Sequence, residues 1–475
     1  MTTLAKKKRS LFGAQDMTTG SAFSCLAWFA LPMLISNIAQ QLYSTADASI
    51  VGRYLGDDAL GAVGASMPIQ NLFLVFLMAV GSGVTIMVSQ YFGAKDKEKL
   101  GVSIGNALTL MIILSVIMTA VSVPLTGPIL RLTKTSPQMY DMAYQYLFIM
   151  FCGTAASGFY NVMSGILRGL GDSIFPLIVL LGAVVINIGL DIWFVAPWGL
   201  DMGIAGAALA TIASQIFSAV ACTVRVLRMK QNFVINKESM KLQGPVVKQI
   251  VRLGLPTGVQ MAVMFLSNIV MQPFIMAMTT PTVNVFAAMT ATMRVDGFAV
   301  MPCQAFSMAV STYTGQNIGA GKLDRLKKGS TTTLVMSMGF SLIMVAAMLI
   351  WGPYVFSLFT ETPELIAMSM GFIRVMIPAY IVMSVNMTFN GIMRGAGDSI
   401  GTMVISLLIN VFLKIPITLV LIYGSKSEMY PNGHPNSMMQ GMVICMAIGC
   451  VITLIYYKVG KWRDKAVVRA MPTKA

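Results

Sequence analysis

The sequence predicts an all-α polytopic membrane protein, twelve transmembrane helices arranged as two parallel-repeat six-helix lobes. Three observations carry that prediction. Of 475 residues, 56% are hydrophobic and only 11% are charged, whereas a soluble globular domain carries about 25% charged residues. Apolar segments of 20 to 30 residues recur along the whole chain, where a transmembrane barrel would show alternating segments of roughly ten. The chain also matches itself at a fixed offset. A single soluble domain and a disordered chain are both excluded.

The apolar segments run over residues 24–46, 58–89, 100–124, 138–167, 174–196, 203–228, 248–278, 284–315, 328–351, 364–393, 400–424 and 437–458. At ~1.5 Å per residue each can cross ~30 Å of hydrocarbon. Several exceed that minimum, so tilt or protrusion is expected. An even number of spans places both chain ends on one side, and charge selects the side. The net charge is +15, from 33 Lys and Arg against 18 Asp and Glu. With the N-terminus inside, 26 of the basic residues are cytoplasmic: Lys6 to Arg9, the loops 95–99 and 322–328, Arg168, Arg394, the linker 225–252 and the tail 458–474. Only Arg53, Arg131, Lys134 and Lys426 fall outside, so both termini are expected in the cytoplasm of a multi-pass protein of the cell (inner) membrane. Orientation thus accounts for the basic balance without nucleic acid as a partner. Lys6 to Arg9 precede a polar stretch rather than a short apolar core, which does not read as a cleavable signal peptide.

The repeat is read at three separated places. Gln90, Gly93, Ala94 and Leu100 recur as Gln316, Gly319, Ala320 and Leu326, each 226 residues later. ILRGLGDSI at 166–174 recurs as IMRGAGDSI at 392–400, and Leu31-Pro32 recurs as Leu255-Pro256. Each unit holds six spans, so the two halves share one orientation and are related by an axis along the membrane normal. The boundaries expected are 1–235 for the N-terminal lobe and 236–475 for the C-terminal lobe, joined by the basic stretch 229–248. A duplicated bundle leaves a cleft between its halves. No filter-like repeat points to a channel.

Other chemistries find no support. The six Cys all lie in apolar stretches without metal-ligand spacing, and the one histidine, His434, lies in a polar loop. HExxH and GxSxG are absent, so no enzyme, no catalytic residue and no resident metal or cofactor is expected. The loops GAKD at 93–96 and GAGK at 319–322 lack the Walker spacing and read as tight turns. RGLGDS and RGAGDS read likewise, with Gly for the turn and Asp near the next helix start. The 41 Met residues are mainly lipid-facing and gap-filling side chains in this reading.

Several runs carry a family resemblance: Asp16-Met17-Thr18-Thr19-Gly20, Leu31-Pro32, QQLYSTADASIVGRYLGDDALGAVGAS at 40–66, QYFGAKD at 90–96, RGLGDS at 168–173, NIGLD at 187–191 and STYTGQNIGAGK at 311–322. Together they resemble a multidrug and toxic compound extrusion transporter over nearly the whole chain. The resemblance implies twelve helices in two lobes. It also implies export of small organic compounds in exchange for sodium ions or protons, by alternating access and as a monomer. A lipid-linked oligosaccharide flippase of the same superfamily is the alternative with the same fold. A transport-inactive membrane sensor or scaffold is the alternative of another class.

Ionisable groups within the bilayer are expensive, so each is a functional candidate. In the first half these are Asp47, at the end of the first apolar segment, and Asp191, in the fifth. Their depths differ by about six residues, or ~9 Å. Asn187 lies four residues before Asp191 on the same helix face, and Asn161 lies on the fourth span. Carboxylates and amide oxygens are the hard ligands that suit sodium or a proton, with sodium expected at Asp47, Asn187 and Asp191. Family members with an acidic first lobe carry the same pattern, which by resemblance assigns ion coupling to Asp47, Asn161, Asn187 and Asp191. The plainer reading makes Asp47 a helix cap in an external loop. In the second half, aligning Asn187 with Asn410 puts Lys414 where Asp191 sits. Arg294, Asp296, Arg374 and Lys414 lie at similar depth and are the substrate-cleft candidates, suited to an anionic or zwitterionic compound. Asp296 is expected to neutralise Arg374 or Lys414. A buried structural ion network is the competing reading.

Overall fold

In lipid every backbone N–H and C=O must be satisfied within its own segment, which an apolar chain achieves as helix. The computed structural model describes residues 13–133, 135–279, 284–357, 362–428 and 430–468. Lys6 to Arg9, Lys134 and the end of the basic tail lie outside the described residues. The helices are α1 Ala22–Leu55, α2 Asp57–Ala94, α3 Lys97–Leu132, α4 Pro137–Cys152, α5 Thr154–Gly169, α6 Ile174–Val195, α7 Ile204–Arg228, α8 Gly244–Ala277, α9 Val285–Gly319, α10 Leu323–Ser357 and α11 Pro363–Gly395. They continue with α12 Ser399–Leu407, a π-helical turn Leu408–Leu413, α13 Lys414–Gly424 and α14 Asn436–Val459.

Ten spans among the described residues are long and apolar enough to cross a membrane, with α12 to α13 running as one. The pair α4 and α5 makes a further span bent by 47°. The break sits at Gly153, where a Cβ would strike Ile212 of α7. The expected eighth span is the single helix α9, which carries Arg294, Asp296, Gln316 and Asn317 and packs against α1, α2, α10 and α11. With it the chain forms twelve membrane helices in two lobes. The helices are longer than the apolar segments alone suggest. Ser21 caps α1 by accepting from Ser24 N at 3.2 Å, and the helix continues to Leu55, eight residues past Asp47.

Burial follows the repeat. At the side away from the termini, Val51, Ala62, Leu147, Phe151 and Ile204 belong to one core. Met271, Val285, Phe356, Phe372 and Met438 belong to another, which shares no residue with the first. At the terminal side α1 crosses to the second lobe, where Leu26 and Phe29 pack with Phe306 and Val310 of α9. All interlobe hydrogen bonds among the described residues lie in the middle or on this terminal side. Ser82 of α2 meets Thr257 of α8 at 3.5 Å. Gln90 Nε2 donates to Gly395 O at 2.9 Å, and its repeat partner Gln316 Nε2 donates to Gly169 O at 3.1 Å. A Cβ on Gly93 would collide with the Gln316 carbonyl, and one on Gly319 with the Gln90 carbonyl. These two glycines therefore serve close helix approach. The first turn is made by Lys95, at φ 59°, and the second by Gly321, at φ 70°.

Both chain ends stitch this seam. Gln15 N bonds Leu170 O at 3.0 Å on the first lobe, while Met17 N donates to Gln316 Oε1 at 2.9 Å on the second. Val467 N donates to Gln90 Oε1 at 2.7 Å. The RGLGDS and RGAGDS turns match residue for residue. Gly171 and Gly397 take φ 87° and 99°. Asp172 Oδ1 accepts from Phe175 N at 3.1 Å, and Asp398 Oδ1 accepts from Gly401 N at 3.0 Å. The structure is thus closed on the terminal side, with separate cores on the other.

Candidate functional site

Because α1 extends beyond its apolar segment, Asp47 lies inside a helix rather than at its cap. It is 4% exposed, and Asp191 and Asn187 are 0% exposed. Helices α1 and α6 pack along each other and set the two carboxyl groups close to one another. A carboxylate only accepts, so the contact is a hydrogen bond when one group carries a proton. Two anions at that range in a low dielectric repel strongly. A shared proton or a cation between them would relieve that repulsion.

The donor inventory agrees. Asp47 Oδ1, both carboxylate oxygens of Asp191 and Asn187 Oδ1 are buried acceptors with no hydrogen-bond partner. The Asn187 amide lies beside Asp191 without closing a hydrogen bond of good geometry. These four hard oxygens suit an alkali cation, and the carboxyl pair suits a proton. No cluster of three or more His, Cys, Asp or Glu that could hold a metal ion occurs among the described residues.

Tyrosines, a threonine and a serine complete the surroundings. The Tyr43 hydroxyl meets Ser214 Oγ of α7 at 3.4 Å and lies near Thr211, Asp47 and Asp191. Tyr146 of α4 is buried close to the same two carboxyls. Sequence reasoning missed these residues. Tyr43 carried a usable signal, since it lies four residues before Asp47 and so on the same helix face. Tyr146, Thr211 and Ser214 carried none. Asn161 stands apart: its Nδ2 donates to Ser157 O at 2.9 Å within α5, and α5 packs chiefly on α2, α3 and α7 rather than on α1.

In the second lobe the cleft candidates do not form one network. Asp296 faces Tyr380 of α11. The ion pairs among the described residues are Lys99–Asp96 and Arg225–Asp172, so Asp296 neutralises neither Arg374 nor Lys414. The reason is geometric: Tyr380 lies nearly two turns from Arg374 on α11 and takes the place facing α9. The side chains of Arg294 and Arg374 are exposed. Lys414 is 8% exposed, and its Nζ donates to Asn268 Oδ1 of α8 at 2.9 Å.

A duplicated helical bundle of this kind, with a seam closed on one side, is the architecture of a membrane transporter. The MatE family model matches residues 32–193 and 256–420, and the chain belongs to that family. It is 29% identical to the probable multidrug resistance protein YpnP of Bacillus subtilis, over 95% of this chain and 98% of that one. It is 26% identical to the probable multidrug resistance protein YoeA of the same organism, over 96% and 97%. Its fold matches an outward-facing multidrug resistance MATE family transporter with a TM-score of 0.86, at 20% identity over 94% and 97% of the two chains.

Proposed function

We propose that the protein exports small organic compounds from the cell in exchange for sodium ions or protons, and that Asp47 and Asp191 are the coupling site. The observation that carries this reading is the buried acid pair, whose three partnerless oxygens lie with that of Asn187. The names of YpnP and YoeA support the class of cargo. The charge asymmetry supports a cytoplasmic terminal side, with the closed seam facing inward and the separate cores facing out.

In that state a cation entering from outside neutralises the pair. Asp47, Asp191 and Asn187 supply its oxygens, or the carboxyls take a proton and Asn187 orients them. Neutralisation removes the cost of carrying buried charge through a lobe rearrangement. Differential affinity of cation and cargo for the two states then drives alternating access. Calorimetric titration of the purified protein with sodium, and measurement of protons released, tests the site. Binding heat or proton release is expected in the wild type and is lost in Asp191→Asn. An Asp191→Asn protein that binds sodium and releases protons as the wild type does would refute the assignment.

A further inference from the structure

With Asn187 aligned to Asn410, Lys414 stands in the second lobe where Asp191 stands in the first. The repeat aligns α6 with the α12–α13 span and α1 with α8. Where α1 and α6 bring two carboxyls together, α8 and α13 bring together an amide and an ammonium. The π-helical turn Leu408–Leu413 leads directly into Lys414, and such turns shift the helix register at functional sites. It is pinned to α8, because Ser267 Oγ donates to Asn410 O at 2.8 Å. The next residue of α8, Asn268, is exposed and accepts from Lys414 Nζ at 2.9 Å. An ammonium has three donors, and Asn268 takes one. Cys445 of α14 is the titratable neighbour, and no acid among the described residues pairs with Lys414. A buried ammonium with no acid partner is costly, and one set beside an exposed amide is suited to an anionic guest.

We infer that Lys414 and Asn268 form a seat for the anionic group of the transported compound, a carboxylate or phosphate held by charge-assisted hydrogen bonds. The cleft then favours zwitterionic or anionic amphiphiles over simple cations. This inference rests on the transport reading above. Such a seat also suits the phosphate of a lipid headgroup, and the test separates the two.

Equilibrium binding to the purified full-length chain in phosphatidylcholine nanodiscs provides the test. The probes are ciprofloxacin, which has one carboxylate and one ammonium, and its methyl ester, which keeps the ammonium alone. The wild type is expected to prefer the acid by roughly tenfold, the effect of one charged hydrogen bond. Lys414→Met should bring that ratio to about one, and Lys414→Arg should retain a clear preference for the acid. Should the Met variant not fold, Lys414→Gln and Asn268→Leu are each expected to shrink the ratio. An unchanged ratio in every folded neutral variant, or no preference in the wild type, would overturn the seat. Loss of the preference on adding phosphatidylglycerol would overturn it in favour of a lipid headgroup. Binding needs no gradient, so a wild type that prefers the acid yet transports neither probe contradicts the transport reading and leaves the seat standing.

Discussion

At the scale of residues, the first lobe concentrates its polarity around two carboxyls that bury each other. Tyr43 belongs to this group through its bond to Ser214 on α7, and it fixes the face of α1 that carries Asp47. Tyr43→Phe deletes that bond and little volume. It is expected to raise the sodium or proton concentration for half-maximal transport by roughly three- to tenfold, about one hydrogen bond, with the maximal rate retained. A lower maximal rate at unchanged cation affinity would place Tyr43 outside the site. The acids were legible in the sequence because charge inside an apolar run is conspicuous. The depth of Asp47 was not, because hydropathy ends α1 where polarity begins, whereas hydrogen bonding continues it for two more turns. The surrounding hydroxyls were also hidden, since Ser and Thr on a membrane helix are as often satisfied by their own backbone.

At the scale of elements, hydropathy located the helices and missed their breaks. The bend at Gly153 and the π-helical turn before Lys414 both interrupt apolar runs with no change in composition. The seam glycines were visible as a repeated motif, but their purpose was not. Gly93 and Gly319 looked like turn residues, and only the approach of α2 to α9 shows that a side chain at either would collide with backbone. The same holds for Gly83, where a Cβ would meet Ile250 O and stand 2.9 Å from Gly254 N on α8. Gly83→Leu is therefore expected to pry α2 from α8 and shift the population away from the closed seam. Thiol labelling of a cysteine introduced at Ser82 reads that shift, and labelling no faster than in the Gly83 parent would contradict it. Ser82 and Thr257 face each other at 3.5 Å. Oxidising a Ser82→Cys, Thr257→Cys pair should thus cross-link the lobes and stop transport until the bond is reduced. Full transport by cross-linked protein would show that the seam does not open during the cycle.

At the scale of the whole molecule, duplication accounts for the architecture. Gln90 and Gln316 make the same interlobe bond in opposite directions, and the two terminal segments each reach across the seam to one of them. The repeat at 226 residues was legible, and aligning Asn187 with Asn410 inside it set Lys414 opposite Asp191. The crossing of α1 into the second-lobe core was not, because packing partners leave no periodicity. By the charge asymmetry the seam is expected inside the cell. A cysteine replacing the exposed Lys237 should accordingly resist a membrane-impermeant maleimide added to intact cells, and strong labelling would reverse the orientation. The exchange of a cation for cargo at the first-lobe acids is the proposal of widest reach. It is tested most directly in proteoliposomes, with sodium and pH gradients imposed separately on the wild type, Asp47→Asn and Asp191→Asn. Substrate movement is expected to be driven by at least one gradient in the wild type and lost in both variants. Wild-type rates in both variants would contradict it.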